Sequence, residues 1–337
     1  MHTVAYNVTM CIRVRRSQTR LMTPRLFRHP HGITAVDTEY LHPGHAASHI
    51  IHDGGRAAFV DVGTNYSVPH LLDALDTLGI AREAVDYVFL THVHLDHAGG
   101  AGLLLQSLPN ALAVLHPRGA PHMTEPEKLI AGSKAVYGEE RFNRLYGQLV
   151  SIPKDRIAVT QDGVRHRLGG RELELIHTPG HAMHHYAIVD FAHASIFPGD
   201  TFGVSYREMD SPRGVFILPA TTPTQFDPDQ LIASIDRMVA YGPESMYLMH
   251  FSRVTDVPRL ANVLKEQIRE YVRIAERHAG AEDRYDAIKA DMLQMWLERA
   301  HAQGVPLSDA GIAKLLKGDL DLNAQGLIAW IDRRKRS

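Results

Sequence analysis

The run VDYVFLT at residues 85–91 reads as a buried strand, and it stops at HVHLDHAGG, which puts three histidines and an aspartate within six positions of a strand end. Side chains alternate along an extended chain, so His92 and His94 point the same way, while Asp96 and His97 fall on the following turn and aim at a second point. One loop can thereby feed two metal ions. Imidazole and carboxylate suit zinc, iron or manganese, provided that the histidines are neutral when they bind. A chain built this way needs a fold that gathers further ligands at the same edge.

Such ligands stand at later strand ends. His181 follows a Pro-Gly turn in HTPGH, directly after a strand over 171–177. Asp200 follows the Pro-Gly turn of IFPGD after a strand over 194–197, and His250 ends the strand in MYLMHF at 245–250. A lone histidine in a loop is usually a hydrogen-bonding surface residue. The full H-x-H-x-D-H spacing, with three more candidates at strand ends, argues for a shared site. Cys11 is the single cysteine, so neither a disulfide framework nor a cysteine-based zinc cluster is available, and any metal must be held by His, Asp or Glu.

The chain has 337 residues and 45% hydrophobic content, enough to bury one large core or two moderate ones. A formal net charge of −2 gives no field that would draw the whole molecule to nucleic acid or an anionic membrane. No apolar run reaches the roughly 20 residues that a spanning helix needs. A cytoplasmic protein with a small-molecule substrate, and with neither nucleic acid nor membrane as partner, is expected.

Three regions follow from the pattern. Residues 1–28 carry six arginines and no acidic residue, without the apolar core of a targeting peptide, and read as a disordered extension. Residues 29–257 carry a hairpin at 46–62, a helix at 69–79, the strand at 85–91, further strands at 111–116, 171–177, 186–190, 194–197 and 245–250, and a helix at 229–239. A longer helical and irregular stretch up to residue 150 can cover a site. Residues 258–337 read as a separate helical extension, with helices at 259–278, 283–303 and 324–334 and a short one near Ser308. Its apolar residues Leu293, Met295, Trp296, Leu327, Ile328 and Trp330 can bury one another, cover the cleft or form a homodimer face.

With these motifs in order, Asp61 in FVDVG, the His-rich loop, His181, Asp200 and His250, residues 30–255 resemble the metallo-β-lactamase fold hydrolase superfamily. HTPGH and PGDT are in the style of its glyoxalase II-like branch, and TPGHAMHH with TTPTQFD is similar to uncharacterised bacterial and archaeal members. The resemblance implies an α/β fold, an αββα four-layer sandwich, here with an all-α C-terminal extension. It implies two divalent metal ions, zinc first and iron or manganese as alternatives. His92, His94 and His181 would hold one ion, Asp96, His97 and His250 the other, and Asp200 would bridge them. Asp61 would orient a ligand imidazole or the loop backbone.

The activity implied is hydrolysis of an ester, thioester or lactone by a metal-bridging hydroxide, with Asp96 and Asp200 as the catalytic carboxylates. Alternatives are a mononuclear iron persulfide dioxygenase-like oxidoreductase, a phosphodiesterase, or a partner-binding protein with residual hydrolase activity. The flavin-linked di-iron relatives commonly have Glu where this chain has His94, and no flavin domain follows. Lactonases of this fold place a tyrosine where this chain has Gly203, with Tyr206 as the nearby substitute. One of His184 and His185 is expected to line the pocket or orient the substrate, with ordinary packing or hydrogen bonding as the alternative; His45 and His49 are candidates for the cleft border and His116 for the metal edge.

Overall fold

A computed structural model describes residues 24–221 and 225–336. The basic segment up to residue 23 and the middle of the TTPTQFD stretch, 222–224, lie outside the described residues. In chain order the strands are β1 (Leu26–Arg28), β2 (Ile33–Asp37), β3 (Ala47–Asp53), β4 (Arg56–Val60), β5 (Val85–Phe89), β6 (Leu112–Leu115), β7 (Ile157–Val159), β8 (Val164–Leu168), β9 (Arg171–His177), β10 (Tyr186–Asp190), β11 (Ser195–Phe197), β12 (Ser245–Leu248) and β13 (Ser252–Val254). The helices are α1 (Val68–Leu78), α2 (Leu95–Ala98), α3 (Ala101–Leu105), α4 (Ala120–Thr124), α5 (Glu127–Tyr137), α6 (Glu139–Tyr146), α7 (Pro228–Val239), α8 (Val257–Arg277), α9 (Arg284–Gln303), α10 (Asp309–Leu315) and α11 (Lys317–Arg334).

The strands form two mixed sheets. The first runs β1-β2-β3-β4-β5-β6-β7, antiparallel as far as β4 and parallel beyond it; the second runs β13-β12-β11-β10-β9-β8, with one parallel pair, β11 with β12. Period-two alternation gives each sheet two apolar faces. Ile33, Val60, Phe89 and Val114 of the first sheet meet Leu173, Leu175, Ile188 and Phe197 of the second, which is the layer between the sheets. The other face of the first sheet, with Phe59 and Val88, is covered by Leu71 and Leu75 of α1 and Leu104 of α3. The other face of the second sheet, with Ile176, Ala187 and Met246, is covered by Leu231 and Ile235 of α7 and Leu260 and Leu264 of α8. The layers are therefore helix, sheet, sheet, helix.

Two features differ from the sequence reading. Leu26–Arg28, placed there in the N-terminal extension, pair antiparallel with Thr34–Val36 as an edge strand, because β2 offers an open edge to them. The C-terminal helices do not form a separate core: Trp296, Leu316, Leu327 and Trp330 share one continuous apolar cluster with the outer face of the second sheet. α8 belongs to both, as the outer layer of the sandwich and the base of the extension. The tryptophans are thus spent inside the chain. Among the described residues no helix is long and apolar enough to cross a membrane.

α7 is tied to the sheet edge at its start. The Asp227 side chain accepts the Gln230 N–H as an N-cap, and the Asp227 N–H donates to the Gly180 carbonyl, next to His181. Asp227→Ala should cost about 1 kcal/mol, read as a lower denaturant midpoint with an unchanged slope.

Candidate metal centre

All seven sequence-predicted ligands meet at one edge of the sandwich. β5 ends below the His-rich loop, His94 takes the extended conformation that caps α2, and the single turn of α2 turns Asp96 and His97 inward. His181 stands two residues after the Thr178-Pro179 step. Gly180 precedes it at φ +122°, where a Cβ would lie 2.2 Å from the Leu231 backbone nitrogen, so the turn can carry only glycine. Asp200 comes off β11 through Gly199, whose φ of +50° and close approach to His185 exclude a side chain in the same way. His250 follows β12.

Two halves emerge. His92 Nε2 and His181 Nε2 lie 2.7 and 3.1 Å from His94 Nδ1, a trio of imidazole nitrogens facing one point. In the other half, His97 Nε2 lies 3.2 Å from Asp200 Oδ1 and 4.0 Å from Asp96 Oδ2, and His250 Nε2 lies 3.5 Å from Asp96 Oδ2. Asp200 joins the halves, since its other oxygen is 3.5 Å from His181 Nε2. His92, His94 and His181 form one group able to hold an ion; Asp96, His97 and His250 form another; His92, His97 and Asp200 overlap both.

Three ring nitrogens facing away from the site are each pinned to an oxygen. His97 Nδ1 donates to Asp61 Oδ2 at 2.9 Å, His181 Nδ1 to the Ala220 carbonyl at 3.0 Å and His250 Nδ1 to the His45 carbonyl at 3.0 Å. These bonds set tautomer and ring orientation, leaving Nε2 of each ring for the centre. Asp61 has the orienting place expected of it: it sits at φ +52°, and its carboxylate also accepts the Thr91 N–H and hydroxyl at the root of the loop. A buried non-glycine residue in that conformation persists only where its surroundings hold it.

Charge differs between the halves. Burial, then the neighbouring imidazoles, pushes His92 and His94 well below the ordinary histidine value, and burial lowers His181 as well. The shift favours the neutral rings that metal ligation requires. In the carboxylate half, burial opposes the proton on His97, but Asp200, Asp61 and Asp96 outweigh it and raise His97 well above the usual range. His250 is raised by Asp96 and Asp200 against burial. Burial works against ionised Asp96 and Asp200, and His97 with His250 overcomes it and depresses both.

The residues fit metal binding at this edge. His97 Nε2 and Asp200 Oδ1 are buried, 3.2 Å apart and without a hydrogen bond, two ligand-type atoms that converge without satisfying each other. Histidine and aspartate in this number and burial are the donor set of zinc, iron and manganese sites.

Other histidines sort clearly. His185 lies beneath the site: its Nε2 accepts the Asp200 N–H at 3.2 Å, and its Nδ1 faces the Thr178 hydroxyl at 2.8 Å. His184 borders the imidazole trio, 5.9 Å from the His94 ring, with Nδ1 buried and unpartnered. His45 packs edge-on against His250 at 5.2 Å. His116 and His49 do not reach the centre: His116 packs at a tilt against His177, and His49 packs against Phe197 and Tyr247 between the sheets.

Two features of the mouth were not read from sequence. Tyr40 and Tyr146 join hydroxyls at 2.9 Å, with Tyr137 beside them, and this trio packs with Leu95 and Phe142 as a cover from α5 and α6. The sequence pointed to a covering stretch there but not to its tyrosines. On another side Tyr206, the expected substitute for the lactonase tyrosine, is buried, with its hydroxyl donated to Asp319 of α11 at 3.1 Å.

Residues 41–250 match the model of the metallo-beta-lactamase superfamily. A metallo-beta-lactamase fold-containing protein of Sulfurisphaera tokodaii is 28% identical over 226 residues, covering 65% of this chain and 77% of that one. A hydroxyacylglutathione hydrolase of Citrobacter koseri is 29% identical over 147 residues, 44% of this chain and 43% of the enzyme, so the match spans less than half of that relative. The solved structure of an archaeal superfamily protein from Sulfolobus tokodaii superposes with a TM-score of 0.58 at 24% identity, covering 72% of this chain and 86% of that one. A family protein of Thermus thermophilus superposes with a TM-score of 0.62 at 19% identity, over 93% of this chain and 92% of its own, so the likeness of fold runs on into the C-terminal helices. The chain belongs to the metallo-beta-lactamase superfamily.

Proposed function

We propose that the protein is a dinuclear metal-dependent hydrolase that cleaves an ester, thioester or lactone of a small molecule in the cytoplasm. The convergence of seven His and Asp side chains on two adjoining groups, with Asp200 between them, carries the reading. His92, His94 and His181 would hold one divalent ion, Asp96, His97 and His250 the other, and Asp200 both, with zinc the first choice for this donor set. When bound, such ions supply a water acidic near neutral pH and polarise the carbonyl oxygen.

The protein's own residues supply the rest. Asp96 is the more open carboxylate, its side chain 22% exposed against 9% for Asp200, so it is the group placed to take a proton from water and pass it to the leaving group. Tyr40 and Tyr146, joined through their hydroxyls, lie near enough to Asp96 for its charge to act on them. The relatives named hydroxyacylglutathione hydrolase put thioesters first among the substrates to try.

The test is elemental analysis of protein purified without chelator, with turnover on thioester, ester, lactone and phosphodiester panels. About two ions per chain and hydrolysis of a carboxylic panel are expected; one iron per chain without hydrolysis would overturn the proposal. Loading should also depend on pH. His97 and His250 are raised by the carboxylates around them, so a proton competes with the ion for these rings, whereas the imidazole trio is lowered. Between pH 5 and 8, the second equivalent should therefore tighten with rising pH more steeply than the first.

A further inference from the structure

We propose that Asp319, carried into the mouth of the metal site by α11, is the recognition carboxylate of the substrate pocket: it takes an ammonium or other cationic group of the substrate and disfavours anionic tails. The assignment rests on the hydrolase reading and names the substrate class for it.

A stack of side chains links the C-terminal helix to the centre. His250 donates from Nδ1 to the His45 carbonyl, the His45 ring packs edge-on to His250 at 5.2 Å, and Tyr206 stacks on the other side of His45 at 5.2 Å. The Tyr206 hydroxyl then donates to the Asp319 carboxylate, 3.1 Å from both oxygens. Asp319 lies close enough for the charges of His250 and Asp200 to act on it, while part of its surface stays open to solvent. Asp319 is thus a partly open carboxylate at the far end of a stack that begins at His250 and runs through His45 and Tyr206.

That carboxylate is underpaired. Its donors are the Tyr206 hydroxyl and its own backbone N–H, and no Lys, Arg or His of the described residues forms an ion pair with it. An ionised carboxylate has about four acceptor positions, so places for a further donor remain. Burial pushes Asp319 up to about 6, offset in part by His250 and Tyr206, which leaves it mostly ionised at neutral pH. Tyr206 is raised well above the ordinary phenol by burial and by Asp319, so it keeps its proton and stays a donor. An incoming ammonium gains a charge-assisted hydrogen bond in a site of reduced dielectric, and an incoming carboxylate meets repulsion. Helix α11 thereby adds a charge filter to a centre made by the sandwich.

The test uses the full chain with its metal content measured, and reads binding rather than turnover. Thiols anchor to the metal through sulfur and differ at the tail: 2-aminoethanethiol and 3-aminopropanethiol against mercaptoacetate and 3-mercaptopropionate, titrated by calorimetry. At equal length the ammonium thiol should bind about tenfold tighter in the wild type. In Asp319→Asn, which keeps an acceptor for Tyr206, the ratio should shrink to about threefold or less with metal content unchanged. Metal-loaded wild type without the preference, or a preference untouched by Asp319→Asn, overturns the assignment and leaves the hydrolase reading standing. A chain that binds no metal overturns the hydrolase reading, and this assignment with it.

Discussion

Asp200→Ala should lower turnover by about 10³-fold or more and reduce bound metal from two ions per chain toward one or none. Asp200 is the group that touches both halves of the site, 3.2 Å from His97 Nε2 through one oxygen and 3.5 Å from His181 Nε2 through the other. In the proposed dinuclear site, removing it would take a ligand from each ion and the link that keeps them adjacent. It also leaves His97 with less negative charge around it, because Asp200 is the foremost influence raising that ring. Asp96→Ala should act more narrowly, depleting the ion shared with His97 and His250 and sparing the imidazole trio. Elemental analysis beside kcat separates the two. Wild-type loading and turnover in Asp200→Ala would remove Asp200 from the centre.

The convergence of the candidate ligands is legible because each stands where a strand ends, and strand ends of a twisted sandwich collect at one edge. The H-x-H-x-D-H spacing and the two Pro-Gly turns are local signals, and the structure places all seven side chains together. What supports them was less legible, because it is assembled over long separations. The His45 carbonyl that holds His250 is 205 residues away in the chain, and nothing local to either marks the pair. Short strands were missed for a related reason: β8, with VRHRL, has one covered end and mostly exposed side chains, so its apolar content is too low to announce it. The sequence pattern marks a helix only over 324–334, yet the spacing of Leu316, Leu320, Ala324, Leu327 and Ile331 continues one helical face back past Asp319. Following that face would have put Asp319 on a helix buried against the sandwich. The face packs on the second sheet's cluster rather than within a separate C-terminal unit.

Asp61→Ala should destabilise the metal-free protein by about 3–5 kcal/mol and weaken the second ion by about 10–100-fold, with the first ion much less affected. Asp61 is buried and accepts from the Thr91 N–H, the Thr91 hydroxyl and His97 Nδ1. Alanine leaves the Thr91 N–H and the His97 Nδ1–H without their acceptor in the interior, and it must also adopt φ +52° with a Cβ. Asp61→Gly isolates the backbone part: it relieves the left-handed conformation, worth about 1 kcal/mol, and leaves the same donors unmet. Asp61→Asn tolerates the backbone but must turn its amide NH₂ toward one of the donors, so its loss should fall between wild type and alanine. The pH dependence has a definite sign. His97 is raised in the fold above its ordinary 6.5 by Asp200, Asp61 and Asp96 against burial, so the stabilisation of the metal-free protein is full below 6.5 and fades as pH climbs through the raised value. The difference between wild type and Asp61→Ala, measured by denaturant unfolding after chelation, should therefore be greatest at acidic to neutral pH and narrow toward alkaline pH. A gap that widens with pH, or second-ion affinity equal to wild type in Asp61→Ala, would mean that His97 is oriented without Asp61.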